Sequence, residues 1–96
     1  MKTQDQIIRI LTQHKHELNE KYKVKQLGIF GSCVRNEQRK KSDIDILVEF
    51  REPVGFAFLD LEEYLQHLLG RKVDLVSKKA LKPHIGKYIL KEVIYI

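Results

Sequence analysis

Asp43 and Asp45 stand one residue apart in the run Asp43-Ile44-Asp45-Ile46-Leu47-Val48-Glu49-Phe50. The run alternates as a β-strand does, so Ile44, Ile46, Val48 and Phe50 share one face. Asp43 and Asp45 share the other, with Leu47 and Glu49 further along. One face can pack under helices, while the other begins with two like charges that repel unless something compensates them. A bound divalent cation is the usual compensation, and hard carboxylate oxygens suit Mg²⁺. An isolated Asp-x-Asp is better explained by a solvent-exposed strand start, so the surrounding residues must decide.

Upstream, Gly31-Ser32 directly follows a short apolar run, Val24 to Phe30. Glycine at that point lets the backbone turn tightly and approach a ligand. The serine hydroxyl and the free amides of a following helix can then receive phosphate oxygens. Arg35, one helical turn after Ser32, can add a cation for phosphate, although a solvated arginine explains it as well. Downstream, Asp74 lies between Val73 and Leu75 in an otherwise apolar stretch, where an unpaired charge is costly. If that stretch pairs with the Asp43–Phe50 strand, Asp74 joins Asp43 and Asp45 in one cluster. Three such carboxylates can hold two Mg²⁺ about 4 Å apart, an arrangement used for in-line phosphoryl or nucleotidyl transfer. Asp74 then serves either as general base or as metal ligand, and the sequence does not choose.

The elements that must position these residues are legible from periodicity. Thr3 and Gln6 have capping-box spacing, and Ile7, Ile8, Leu11, Leu18 and Tyr22 recur at helical intervals, which predicts a helix to about Tyr22. Val24–Phe30 reads as a buried strand ended by Gly31-Ser32, and Cys33 to Lys41 as a short exposed helix plus loop. After the Asp43–Phe50 strand, Pro53 and Gly55 mark a connection. Phe58, Leu61, Leu65 and Leu68 form the inner stripe of another helix, with Gly70 at its C-terminal cap. Lys72 to Ser77 is a third strand. Ala80 to Glu92 forms a last helix interrupted or started at Pro83, and Val93 to Ile96 a terminal strand. The order predicts an α/β chain, a sheet covered by helices.

The chain of 96 residues is read as one domain, 1–96, because a second core would not fit. A composition 43% apolar and 32% charged sets aside disorder. No stretch approaches the roughly 18 apolar residues of a membrane span. The opening MKTQDQIIRI lacks the apolar core and cleavage site of a signal peptide, so a cytoplasmic location is expected. Cys33 stands alone, which excludes an intrachain disulfide and reads as a buried structural thiol. The net charge of +5 invites a nucleic-acid reading, but the basic residues are dispersed and Arg39-Lys40-Lys41 is the one dense run. Direct nucleic-acid binding is therefore not expected, and attraction of a polyanionic nucleotide uses the same charge. There is no phosphate-binding G-x-x-x-x-G-K-[ST] loop. His14 and His16 diverge on a helix, which argues against a zinc pair, and His67 and His84 read as surface or packing residues. Tyr64, Tyr88 and the phenylalanines read as core.

Gly31-Ser32, ten residues, then Asp43-Ile44-Asp45 resembles the GS-x10-DxD signature of the polymerase-β-like nucleotidyltransferase superfamily. The stretch GIFGSCVRNEQRKKSDIDILVEF looks like its smallest branch, the minimal nucleotidyltransferases (MNT). GRKVDLVS, with the third carboxylate, and LKPHIGKYILKEVIYI extend the likeness from Leu27 onward. The resemblance implies a polymerase-β palm-like fold, a small mixed sheet packed by helices on one face. It implies that Gly31 and Ser32 bind the phosphates of ATP, that Arg35 assists, and that Asp43, Asp45 and Asp74 hold Mg²⁺. Asn36 and Cys33 depart from the residues common at their positions. The resemblance further implies the antitoxin of a toxin–antitoxin pair, transferring AMP to a tyrosine of a HEPN-domain ribonuclease toxin. Alternatives are a masking antitoxin without need of catalysis, or transfer to a small molecule or RNA end.

Overall fold

A computed structural model describes residues 3–31, 34 and 43–96. Ser32, Cys33, Arg35, Asn36, the Arg39-Lys40-Lys41 run and most of the helix-plus-loop expected over Cys33 to Lys41 lie outside the described residues. The capping box at the N-terminus forms as its spacing predicts: the Gln6 amide donates to Thr3 Oγ1 at 3.2 Å and the Thr3 amide to Gln6 Oε1 at 2.9 Å. The helix it opens is shorter than its periodicity suggests. Helix α1 spans Gln4–Gln13 and α2 spans Lys15–Tyr22, with His14 between them. The His14 amide donates to the Leu11 carbonyl, three residues back, at 3.2 Å, and His14 Nδ1 lies 2.8 Å from the Ile10 carbonyl. Such i→i+3 tightening ends a helix. The Leu18 amide then opens the second helix on the His14 carbonyl at 2.9 Å. Ile7 and Leu11 of the first helix and Leu18 of the second meet one core.

The remaining elements are β1 (Val24–Phe30), β2 (Ile44–Phe50), α3 (Ala57–Leu69), β3 (Val73–Ser77), a 3₁₀ turn (Lys78–Ala80), α4 (Pro83–Glu92) and β4 (Ile94–Tyr95). Among the described residues the strands form one mixed sheet in the order β3-β2-β1-β4. β1 runs antiparallel to β2 and β4, whereas β2 and β3 are parallel. A parallel pair requires a crossover, and α3 provides it. Leu27 and Ile29 of β1, Ile44, Ile46 and Val48 of β2, and Val73 and Leu75 of β3 form the floor of the core. Leu61, Leu65 and Leu69 of α3 join the three α1–α2 residues above it. The fold is the small mixed sheet that the family resemblance implies, with α1–α3 packed on one face.

Two details differ from expectation. The fully buried stripe of α3 ends on Leu69, with Phe58 and Leu68 only half-buried, because positions four apart track the helix axis better than a final step of three. The aromatic residues are not uniformly core. Phe30 is buried, Phe50 and Phe58 are half-buried, and Tyr64 stacks on Tyr22 with ring centroids 4.9 Å apart. Phe56 is 85% exposed and Tyr88 65% exposed. Phe56 precedes the inward stripe of α3, and Tyr88 lies on the opposite side of α4 from the buried Gly86. Among the described residues no helix is long and apolar enough to cross a membrane.

Candidate active site

The pairing of β2 with β3 sets Ile44 opposite Val73 and Asp45 opposite Asp74. Partners in register on adjacent strands project from the same face, about 4.8 Å apart along the hydrogen-bond direction. Ile44 and Val73 are buried under the helices, so Asp45 and Asp74 both stand on the opposite face. Asp43 immediately precedes β2, two residues before Asp45, and belongs to that face by alternation. The start of β3 is fixed twice: the Ile44 amide donates to the Lys72 carbonyl at 3.0 Å, and the Val73 amide to Gln66 Oε1 of α3 at 3.1 Å. Backbone and helix thus hold the Asp45–Asp74 register.

Asp43 and Asp45 are half-buried and Asp74 is exposed. The apolar neighbours of Asp74 in sequence, Val73 and Leu75, face the core, and its own side chain faces solvent. The burial cost inferred from those neighbours is therefore absent. What singles Asp74 out is its register with Asp45. Beyond the carboxylates, Leu47 on the same face is only 1% exposed, and the 3₁₀ turn after β3 packs back on β2, where Lys78 Nζ lies 3.8 Å from Glu49.

Gly31 ends β1 beside these residues. Phe30 pairs with Asp45 across the antiparallel ladder, so the next residue sits at the Asp45 side chain. Gly31 has φ +72°, the left-handed region, and a Cβ placed on it would collide with Asp45 Oδ2. Only glycine satisfies both conditions. Its carbonyl accepts from the Val34 amide at 3.0 Å, closing a turn. Its amide donates to Glu92 Oε1 of α4 at 2.8 Å. In this structure, then, Gly31 contributes the close approach to Asp45, while its N–H is engaged by a carboxylate of the chain. Ser32 and Arg35 lie outside the described residues.

Glu92 is the residue that reading the sequence missed. It had a detectable signal. It is an acidic last residue of a helix that carries Lys87 and Lys91, and a negative charge at a helix C-terminus opposes the macrodipole. Such a placement needs a compensating partner, and the Gly31 amide is one.

The fit of a metal rests on the donors. Asp43, Asp45 and Asp74 offer an all-oxygen, anionic set, which suits Mg²⁺ better than a softer metal. Among the described residues no three His, Cys, Asp or Glu side chains converge as a closed ligand group.

Residues 11–96 match the family described as nucleotidyltransferase domain. The chain belongs to the nucleotidyltransferase domain family. It is 52% identical over 97 residues to a protein adenylyltransferase named MntA from Thermococcus cleftensis, covering 100% of this chain and 98% of that one. A solved structure provisionally described as a minimal nucleotidyltransferase superposes with a TM-score of 0.81 at 31% identity, covering 97% of this chain and 95% of the other. A solved complex of a tri-AMPylated HEPN toxin from Shewanella oneidensis with an MNT antitoxin matches with a TM-score of 0.60 at 22% identity. That match covers 96% of this chain and 66% of the other, and at that identity it speaks for the fold alone. The nucleotidyltransferase fold is thus the frame in which Asp45, Asp74 and Gly31 are brought together.

Proposed function

We propose that this nucleotidyltransferase is a Mg²⁺-dependent protein adenylyltransferase that transfers AMP from ATP to a tyrosine hydroxyl of a HEPN-domain toxin, and so acts as its antitoxin. The observation that carries the reading is the register of Asp45 with Asp74 on parallel strands, with Asp43 two residues upstream and Gly31 against Asp45. The name of the Thermococcus relative and the composition of the Shewanella complex support the acceptor class.

Asp43, Asp45 and Asp74 would hold the ion, which when bound supplies charge neutralisation for the triphosphate and the departing diphosphate. The chain's own residues have three tasks. Gly31 lets the backbone at the end of β1 come against Asp45. By resemblance, Ser32 and Arg35 receive phosphate oxygens. A carboxylate, with Asp74 the best exposed to an incoming acceptor, takes the proton of the tyrosine hydroxyl. The tyrosine oxygen bonds to the α-phosphorus of ATP, the bond from that phosphorus to the bridging oxygen breaks, and diphosphate leaves with the electron pair. AMP–protein and diphosphate balance ATP and protein.

The test is intact mass spectrometry of the toxin encoded beside this protein after incubation with it, ATP and Mg²⁺. Asp43→Asn and Asp45→Asn serve as controls. AMP-sized increments that need both aspartates, and that disappear when the acceptor tyrosine is changed to phenylalanine, are the expected result. A silenced toxin with unchanged mass would replace this reading with a masking antitoxin.

A further inference from the structure

We infer that Glu92 is a positioning residue for nucleotide binding: its carboxylate, on the Gly31 amide at 2.8 Å, holds the end of β1 in the shape that meets the nucleotide. The inference rests on the nucleotidyl-transfer reading and adds to it a residue from the far end of the chain.

Three features of Gly31 define the turn. Its Cα faces the Asp45 carboxylate, its carbonyl accepts the Val34 amide at 3.0 Å, and its amide donates to Glu92. Glu92 supplies a long-range restraint, across 61 residues. A charged acceptor makes this a strong hydrogen bond. It also fixes one peptide plane of a glycine, the residue that loses the most freedom when ordered.

Glu92 does not reach Gly31 by chance of a mobile surface side chain. The following residue, Val93, packs against Gly28, where an added Cβ would lie 2.6 Å from Val93 Cγ2. Ile94 and Tyr95 pair with Ile29 and Gly28, and the Ile96 amide donates to the Leu27 carbonyl at 2.8 Å. The backbone on the C-terminal side of Glu92 is therefore registered to the strand that ends in Gly31. An acid at a helix C-terminus works against the helix dipole, and the contact with Gly31 gives it a counterpart.

A purely structural tie would affect the stability of α4 and β4 and nothing else. Three variants separate the two. Glu92→Ala removes the acceptor, Glu92→Gln keeps an acceptor oxygen without charge, and Val93→Ala loosens the same segment without touching the hydrogen bond. Binding of the ATP analogue AMP-PNP in Mg²⁺ buffer is measured by calorimetry, and melting temperature is measured alongside. Glu92→Ala is expected to weaken binding on the order of tenfold, the scale of a lost charge-assisted hydrogen bond. Glu92→Gln should stay within about threefold of wild type, as a neutral acceptor retains part of the bond. Val93→Ala should melt lower and bind as wild type. Equal binding by wild type and Glu92→Ala would overturn the inference, as would equal weakening in Glu92→Ala and Val93→Ala. Tighter binding by Glu92→Ala would also overturn it, by making Glu92 a competitor of the phosphates. Wild type that fails to bind the analogue would sink the nucleotidyl-transfer reading itself, and this inference with it.

Discussion

The two faces of β2 differ in the charge they carry. Ile44, Ile46 and Val48 point beneath α1–α3 and are fully buried, whereas on the other face Asp45 and Glu49, half-buried, flank the buried Leu47, with Asp74 exposed beside Asp45. The first face lowers free energy by removing apolar surface from water. The second sets like charges side by side, which a stability criterion alone would not select. Alternation with a period of two lets one strand serve both ends without compromise. The helix-covered face fixes the register, and the register sets the carboxylates.

This contrast can be broken on either side. The largest expected effect is on the charged face: Asp74→Asn should reduce AMP transfer on the order of a thousandfold, the scale of losing one group that stabilises developing charge. Its denaturation midpoint should stay at or above that of wild type, because a repulsive pair is relieved. Loss of transfer accompanied by unfolding would blur the division between faces. Next, Ile46→Ala on the core face should cost about 2–5 kcal/mol in urea denaturation, while the folded fraction keeps its turnover. Gly31→Ala touches both sides. A left-handed alanine costs roughly 1–2 kcal/mol, and its Cβ meets Asp45, so stability and transfer should fall together. A variant that melts lower yet transfers normally would show that Gly31 matters to the turn alone.

The smallest effect concerns a polar group on the helix side. Tyr64 is pushed up to about 12 from its ordinary 10.0, first by burial and then by donating its hydroxyl to Glu17 and by the charge of that carboxylate. The native state therefore holds this proton more tightly than the unfolded chain does. The associated stability is fully present below pH 10 and is lost as pH rises towards about 12. Tyr64→Phe should cost about 1 kcal/mol near neutral pH for the lost hydrogen bond. It should also flatten the alkaline decline seen by thermal melts across that window.

Most of the fold was legible because each strand carries its own signal. Val24–Phe30 was read to its observed ends, and the alternation in Asp43–Phe50 assigned both faces of β2 correctly. The capping box at Thr3 and the cap at Gly70 are likewise local chemistry. The break at His14 was not legible, since the apolar spacing from Leu11 to Leu18 suits one helix as well as two. Nor could the sequence establish that Asp74 meets Asp45. That depends on parallel pairing through α3, and the cost argument from Val73 and Leu75 mistook the neighbours' burial for that of Asp74. Glu92 offered only a hint, an acid at a helix C-terminus. Its partner is a backbone amide 61 residues away, and no side-chain pattern advertises an amide. Phe56 and Tyr88 were misjudged because residue type alone does not state which way a helix turns it.

The closing strand has a consequence for the order in which contacts form during folding. β1 and β2 are joined by a short stretch of sequence, and short-range pairings form early. The Gly31–Glu92 contact and the pairing of Ile29 with Ile94 require nearly the entire described chain. Because Gly31 and Glu92 are farther apart in sequence than Asp45 and Asp74, closing their loop costs more chain entropy, and a folding chain can set its carboxylate face before the nucleotide turn is fastened. In that interval it would carry the acidic half of a transferase without its grip on ATP. Competence arrives with the longest-range contact, after the hydrophobic layer has formed.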